Sequence, residues 1–176
     1  METFTTIKDL VDNPCYDSQR QRHLSGLNMN IIDAPIIDVV SDLATLPYCF
    51  TLQSCFGHFL YRNQQDPSNL ELLPISDSIE KVEYRIAYIA LCIQNNDAGR
   101  ILLNELKKVP SIDPDYIQFG CAEWFWERQV NSYALQVEPE RYMYFDRTPL
   151  IDYEEALHIQ KVREEFFSEL RNLIHL

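Results

Sequence analysis

"YRIAYIALCIQ", residues 84–94, is a nearly continuous apolar run of strand length. A strand covered on both faces has this pattern, because neither face is exposed to water and neither needs polar side chains. "NNDAGRILLNELKKVP", residues 95–110, follows at once and predicts a helix, with a cap candidate at its start and a stripe of Leu102, Leu106 and Val109. Together the two stretches predict a buried central strand and a crossover helix.

The segments on the N-terminal side of this unit predict a helix and two strands. Residues 31–47, "IIDAPIIDVVSDLATLP", repeat apolar side chains at helical spacing, and Asp33 stands where it would cap the helix. "YCFTLQSCFGHFLY", residues 48–61, has two β-rich halves that meet near residues 55–57, which predicts a hairpin. Residues 1–30 are predicted as an irregular or helical N-terminal extension.

The segments on the C-terminal side complete the predicted fold. Residues 115–124 and 131–139 predict two further strands, the first of them parallel to residues 84–94 through a right-handed connection. Residues 151–174 predict one long amphipathic helix. The sequence therefore predicts a single α+β domain over residues 1–176. Its sheet would be mixed, with a crossover helix, a helix before the first strand and a long C-terminal helix.

The composition predicts an acidic cytoplasmic protein. The 176 residues are 46% apolar and hold 27 acids against 15 bases, for a formal charge of −12. This charge opposes tight nucleic-acid binding, since counterion release from phosphates supplies most of the nonspecific affinity. No apolar run approaches the ~20 residues of a membrane span, and the start of the chain lacks the pattern of a secretory signal. The five scattered cysteines, without a CxxC pair, predict free thiols.

"TLQSCFGHFLY", residues 51–61, places Cys55 and His58 three residues apart with Gly57 between them. This spacing suits a pair of metal ligands, or a thiolate activated by a neighbouring imidazole. Two ligands do not make a zinc site, and further ligands would have to come from Cys121, Glu123 or His158. A turn with a positive φ at Gly57, a buried Cys55 and a half-exposed His58 explains the same residues. We therefore expect a ligand-binding or structural turn, and no metal.

"GCAEWFWERQ", residues 120–129, combines two tryptophans, a phenylalanine, two acids and an arginine. Such a cluster could stack on a base or adenine ring, with Arg128 over a carboxylate or phosphate. Alternatively, Trp124 and Trp126 pack on one face of the sheet, because large aromatic side chains are first of all core residues. In the first interpretation the tryptophans share a concave surface with the turn.

Residues 25–61, "SGLNMNIIDAPIIDVVSDLATLPYCFTLQSCFGHFLY", combine an aspartate that leads into a helix with a strand that reaches a cysteine–glycine turn. In this order of features the chain resembles the wybutosine-synthesising protein 3 family, over about residues 25–176. Ser54, Cys55 and Gly57 match the second serine, the cysteine and the glycine of that family's Ser-Ser-Cys-Ser-Gly-Arg turn. The resemblance implies S-adenosylmethionine-dependent methylation of a tricyclic guanine derivative in tRNA, in a cleft formed by the turn and its neighbouring strands.

The turn departs from the family pattern at three positions. Gln53 replaces the first serine, Phe56 the serine after the cysteine, and His58 the arginine. The missing arginine and the charge of −12 argue against tRNA as the substrate. These departures favour a relative that has the fold and has lost or changed the substrate.

The resemblance and the turn together predict a small-molecule or nucleoside site, with S-adenosylmethionine as its cofactor. His58 is the best general base in the chain, because an unperturbed pKa near 6.5 suits proton transfer at neutral pH. Cys55 and Asp33 complete the predicted catalytic group, and Asp33 would also orient the turn. The predicted ligand-binding residues are Ser54, Gly57, Trp124, Trp126 and Arg128. The alternative is a non-enzymatic acidic module that holds a protein partner with its Trp124–Arg128 tip.

Overall fold

The computed structural model describes residues 4–142 and 148–174 and has the predicted α+β architecture. The described strands are β1 (Phe4–Thr5), β2 (Cys49–Cys55), β3 (His58–Leu60), β4 (Lys81–Arg85), β5 (Ala87–Ile93), β6 (Ile117–Ala122), β7 (Ser132–Val137) and β8 (Leu150–Asp152). The described α-helices are α1 (Tyr16–Gly26), α2 (Ile37–Thr45), α3 (Asp97–Leu106), α4 (Glu123–Arg128) and α5 (Tyr153–Ile174). The helix before β2, the crossover helix α3 and the long C-terminal helix α5 are therefore confirmed.

The strands form two sheets. The larger has the order β1-β6-β7-β5-β2 and the smaller the order β3-β4-β8. Every strand pair in the described residues is antiparallel. Both sheets are therefore antiparallel, whereas the sequence predicted a mixed sheet. β5 and β6 run in the same direction, as a crossover requires, but β7 lies between them and is antiparallel to both.

The apolar run at residues 84–94 forms a buried strand, although the strand begins later than expected. β5 lies between β7 and β2, and all of its side chains except that of Tyr88 are buried. The predicted strand buried on both faces is thereby confirmed. Tyr84 and Arg85 belong instead to β4 in the smaller sheet, so the chain changes sheets at Ile86.

The chain also changes sheets between β2 and β3, at Phe56 and Gly57. β2 pairs with β5 and β3 pairs with β4, so the predicted hairpin is wrong. A glycine between two β-rich halves permits a corner as well as a reversal, and here the two halves join different sheets. The two breaks face each other, since the register aligns Cys55 with Tyr88 and His58 with Arg85.

Helices α2 and α5 pack against each other and against the sheets. The apolar face of α5 is buried as its periodicity predicts, through Ile159, Val162, Phe166, Phe167 and Leu170. Helix α3 begins at a cap in which the Asn96 side chain accepts a hydrogen bond from the Gly99 backbone N–H at 2.8 Å. The core therefore lies between these helices and the two sheets, directly behind the sheet-changing corners.

The N-terminal residues belong to the domain. β1 pairs with β6, and α1 packs on β2 with Tyr16 buried at its start. The predicted N-terminal extension thus contains both a helix and an edge strand. All five cysteines are free thiols. Among the described residues, no helix is both long enough and apolar enough to cross a membrane.

Candidate functional site

The corner between β2 and β3 brings together the three predicted catalytic residues. Cys55 ends β2, His58 begins β3, and Asp33 immediately precedes the 3₁₀ turn Ala34–Ile36. One ligand atom from each side chain, a carboxylate oxygen, a thiol sulfur and an imidazole nitrogen, lies within 4.8 Å of the other two. We call these three residues the corner cluster. Residues distant in sequence therefore meet where two strands leave one sheet for the other.

Asp33 orients the corner and does not cap the helix. Its Oδ2 accepts a hydrogen bond from the Phe56 backbone N–H at 2.7 Å. In the described residues its side chain makes no cap hydrogen bond to the turn that follows it. The predicted cap is thus wrong, because the carboxylate turns instead toward a backbone N–H that the corner removes from strand pairing.

His58 is buried, not half-exposed as the sequence predicted, with 7% of its surface accessible. Its Nδ1 lies 2.9 Å from the carbonyl oxygen of Asn69, in the long loop after β3. A carbonyl can only accept, so Nδ1 carries a proton and Nε2 is the atom left for chemistry. Nε2 lies 3.5 Å from Oδ2 of Asp33.

Cys55 is partly exposed, whereas the sequence predicted a buried thiol. Desolvation raises the pKa of Cys55 to about 11, and the nearby Asp33 carboxylate adds to this effect. The backbone N–H of Gly57 donates to Sγ over 3.4 Å. Cys55 is consequently a thiol at neutral pH in the metal-free protein, and it becomes a nucleophile or ligand only when a base or cation removes its proton.

Gly57 has the positive φ that the sequence predicted, +89°. A Cβ at this position would lie 2.8 Å from the Cβ of Ala87 and 3.0 Å from its backbone nitrogen. The two sheet-changing corners therefore pack against each other so closely that only glycine fits. Ser54, the residue before Cys55, lies in β2 in register with Ile89.

Arg163 lies beneath the corner and was not identified from the sequence. It is 1% exposed, its Nη1 donates to the Gly57 carbonyl at 3.0 Å, and its guanidinium lies 3.9 Å from the centre of the Phe56 ring. Its Nε has no partner among the described residues. A signal existed, because Arg163 is a charged residue four positions from both Ile159 and Phe167, on the apolar face of α5.

The residues proposed as further metal ligands lie elsewhere. Cys121 is in β6, where its Sγ accepts a hydrogen bond from the backbone N–H of Lys8. His158 pairs with Asp113 across 2.8 Å, and Glu123 begins α4. Among the described residues, the third ligand-type side chain beside Cys55 and His58 is Asp33, which was predicted as a catalytic and turn-orienting residue and not as a metal ligand.

Trp124, Trp126 and Arg128 form part of helix α4, not of a strand. In a helix side chains do not alternate between two faces, so the predicted packing of both tryptophans on one face of the sheet is revised. Trp124 is 42% exposed with the Arg128 guanidinium 4.1 Å from its ring, and Trp126 packs edge-on against Tyr133.

The tryptophans do not share the surface of the corner cluster. Tyr133, which contacts Trp126, aligns with Leu91 of β5, whereas Cys55 aligns with Tyr88. Three residues of a strand span about 10 Å. The structure therefore places the aromatic group near the other end of β5.

No family model and no curated protein matches the chain. Its fold is similar to a solved structure, the PH1069 protein from Pyrococcus horikoshii, with a TM-score of 0.50 and 12% sequence identity over 91% of this chain and 92% of that one. At this identity the likeness concerns the fold, and the corner cluster is interpreted from its own chemistry.

Proposed function

We propose that this protein binds a small molecule of the nucleoside class at the corner cluster, with His58 as the acid–base residue. The observation that supports this proposal is the convergence of Asp33, Cys55 and His58 from three parts of the fold. The Asp33 side chain keeps 22% of its surface accessible and that of His58 keeps 9%, so a ligand can reach the cluster from the Asp33 side. Five free thiols and the composition support a cytoplasmic location.

The geometry supports proton transfer at Nε2 of His58. Its Nδ1–H bond to Asn69 fixes the ring orientation and leaves the lone pair of Nε2 inside the cluster. The Asp33 carboxylate, 3.5 Å away, would stabilise the imidazolium that forms when Nε2 accepts a proton. The cluster therefore holds a candidate base with a carboxylate beside it.

S-adenosylmethionine enters the proposal through the family resemblance, and one residue of the cluster fits it. Its sulfonium is a cation, and Asp33 offers a carboxylate at the accessible side of the corner cluster. When bound, the cofactor would supply a methyl group. The adenine ring would need an aromatic side chain other than Trp124 or Trp126 to stack on. Both tryptophans lie on α4, near the end of β5 that is away from the corner cluster.

Calorimetric titration of the metal-free protein in EDTA tests this proposal, with adenosine, guanosine, S-adenosylmethionine and S-adenosylhomocysteine as probes. We expect at least one of them to bind and His58→Gln and Asp33→Asn to weaken that binding at least about tenfold. Asp113→Asn is the matched control, because it alters a histidine–aspartate pair outside the cluster. Absence of binding by all four probes, or equal binding by Asp33→Asn and Asp113→Asn, would contradict the proposal.

A non-enzymatic interaction module is the second candidate, and the exposed Trp124–Arg128 pair favours it. Exposed tryptophan and arginine are the residue types that dominate binding energy in protein interfaces. A partner protein that co-purifies with the wild type and with His58→Gln, but is lost in Trp124→Ala, would support this function. Retention of the partner by Trp124→Ala would remove α4 from the interface.

A further inference from the structure

The corner cluster has the composition and spacing of a metal site. Carboxylate, thiolate and imidazole are the ligands that zinc takes in proteins, with bonds of about 2.0–2.3 Å. Tetrahedral ligands at such bond lengths lie roughly 3.3–3.8 Å apart. The ligand atoms of Asp33, Cys55 and His58 lie within 4.8 Å of one another, and the Asp33–His58 pair is already at 3.5 Å. A movement of about 1 Å brings all three to bonding distance of one ion.

The hydrogen bonding of His58 supplies an independent argument. Because Nδ1 donates to the Asn69 carbonyl, the neutral ring has its free lone pair on Nε2, which lies 3.5 Å from a carboxylate oxygen of Asp33. Nε2 and this oxygen are both acceptors when the ring is neutral, so a proton or a cation between them would turn their repulsion into attraction. Histidines that ligate metals typically donate their other ring N–H to a carbonyl or carboxylate, as His58 does.

The other two side chains are held by the backbone as well, in their case by N–H donors. The Phe56 N–H donates to Oδ2 of Asp33, and the Gly57 N–H donates to Sγ of Cys55. Such donors fix the orientation of a ligating carboxylate and stabilise the negative charge of a thiolate. All three side chains are thus oriented before any ion arrives.

We propose that Asp33, Cys55 and His58 bind a zinc ion through three protein ligands, with the fourth position open on the solvent side of Asp33. A thiolate and an imidazole select zinc over magnesium or calcium, which prefer oxygen ligands. Three protein ligands with an open position are typical of catalytic zinc sites. The inference uses the same cluster as the proposed function, but with zinc bound Nε2 of His58 is a ligand and no longer a base. The open position would then accept an oxygen or nitrogen of the small molecule.

Binding replaces the sulfur–hydrogen bond of Cys55 with a zinc–sulfur bond, and the released proton passes to the solvent. The two negative charges of Asp33 and the Cys55 thiolate balance the charge of the ion. Zinc affinity should therefore rise with pH, with about one proton released for each ion bound.

Titration of the EDTA-treated, dialysed protein with Co²⁺ alone tests the site directly. We expect saturation at one equivalent, with a thiolate-to-cobalt charge-transfer band that Zn²⁺ abolishes by displacement. Cys55→Ser should remove the band and Cys15→Ser, at an exposed cysteine, should keep it. Asp33→Asn should lower the affinity at least about 100-fold, and Asp113→Asn should leave it unchanged.

A wild-type band that is missing, or one that survives Cys55→Ser, overturns the inference. Circular dichroism establishes that each variant is folded. If Cys55→Ser does not fold, alkylation of the wild-type thiols tests the site instead. Zinc should protect Cys55 from alkylation and leave Cys15 reactive. Equal alkylation of Cys55 with and without zinc overturns the site. The cobalt titration contains no organic ligand and the calorimetric titration contains EDTA, so the failure of one proposal is distinguishable from the failure of the other.

Discussion

The described residues contain two histidine–aspartate pairs that differ in almost everything except residue type. His158 and Asp113 lie 2.8 Å apart at the surface, where the histidine side chain is 45% exposed. His58 and Asp33 lie 3.5 Å apart in the corner cluster, where the histidine side chain is 9% exposed and Cys55 lies beside both. The shorter contact joins the pair that is more accessible to water.

This difference shows that a short histidine–aspartate distance is weak evidence for a functional site. In the surface pair each partner satisfies the other, and exposed ion pairs typically contribute less than about 1 kcal/mol to stability. In the corner cluster the histidine is buried, its Nε2 is 3.5 Å from the Asp33 carboxylate, and three groups of ligand type lie together. Groups in that condition are the ones that a ligand or ion can complete.

The largest effect is expected from the glycine that forms the corner. Gly57→Ala should lower the free energy of unfolding by about 3 kcal/mol, because alanine disfavours the φ of +89° and its Cβ would meet Ala87. Gly26→Ala is the control, since Gly26 ends α1 with no atom near an added Cβ, and it should be neutral or slightly stabilising. Urea unfolding measures both. A Gly57→Ala protein as stable as Gly26→Ala would mean that the corner is not tightly constrained.

Glu138 is a third carboxyl group to compare with the two aspartates. It is buried, and none of the ion pairs among the described residues includes it. Burial raises the pKa of Glu138 to about 7 from an ordinary 4.5, and its carboxylate accepts a hydrogen bond from the Gln136 amide. A raised folded-state pKa favours the protonated form, so the group's contribution to stability is complete below pH 4.5 and falls as the pH rises to about 7.

Ionisation of Glu138 should therefore cost about 3 kcal/mol by pH 8, and Glu138→Gln should not show that loss. The measurement is the free energy of unfolding in urea at pH 5 and pH 8 for both proteins. The free energy of unfolding of the variant, relative to that of the wild type, should therefore increase as the pH rises. Parallel pH profiles would show that water reaches the carboxylate.

Removal of each aspartate compares the two pairs directly. Asp33→Ala should lower the free energy of unfolding by about 2 kcal/mol, because it leaves the Phe56 N–H without an acceptor at the corner. Asp113→Ala should lower it by less than about 1 kcal/mol. Urea unfolding of the metal-free proteins separates the two. Equal losses would indicate that the corner N–H is hydrated and that Asp33 has no structural role.

The sequence predicted the elements better than their partners. A continuous apolar run identified β5, and apolar periodicity identified α3 and α5, because burial acts locally on each segment. The same patterns did not distinguish a hairpin at Gly57 from a corner, since both need a glycine and two apolar halves. Strand pairing depends on residues far along the chain, and the insertion of β7 between β5 and β6 leaves no mark on either strand.

The candidate site was predicted in the same partial way. Cys55, His58 and Asp33 were predicted as one catalytic group, but Asp33 was placed there as a helix cap, and the sequence did not indicate how its carboxylate reaches the other two. Asp33 reaches the cluster because the corner frees the Phe56 N–H, which is a consequence of tertiary structure. The tryptophans of α4 were assigned to the same surface from composition alone, and the register of β5 separates them from it.

The smallest expected difference concerns the two histidines themselves. His58→Gln should lower the free energy of unfolding of the metal-free protein by about 1 kcal/mol, because a glutamine amide can still donate to the Asn69 carbonyl but fills the buried space less well. Alanine is the wrong choice here, since it would leave that carbonyl unpaired at a buried position. His158→Gln should change stability by less than about 0.5 kcal/mol, as is usual at exposed positions. Urea unfolding resolves this difference, and with saturating zinc it should widen, because only the protein with His58 gains the binding energy of the complete site. If zinc does not widen the stability difference between the two variants, His58 is not a zinc ligand.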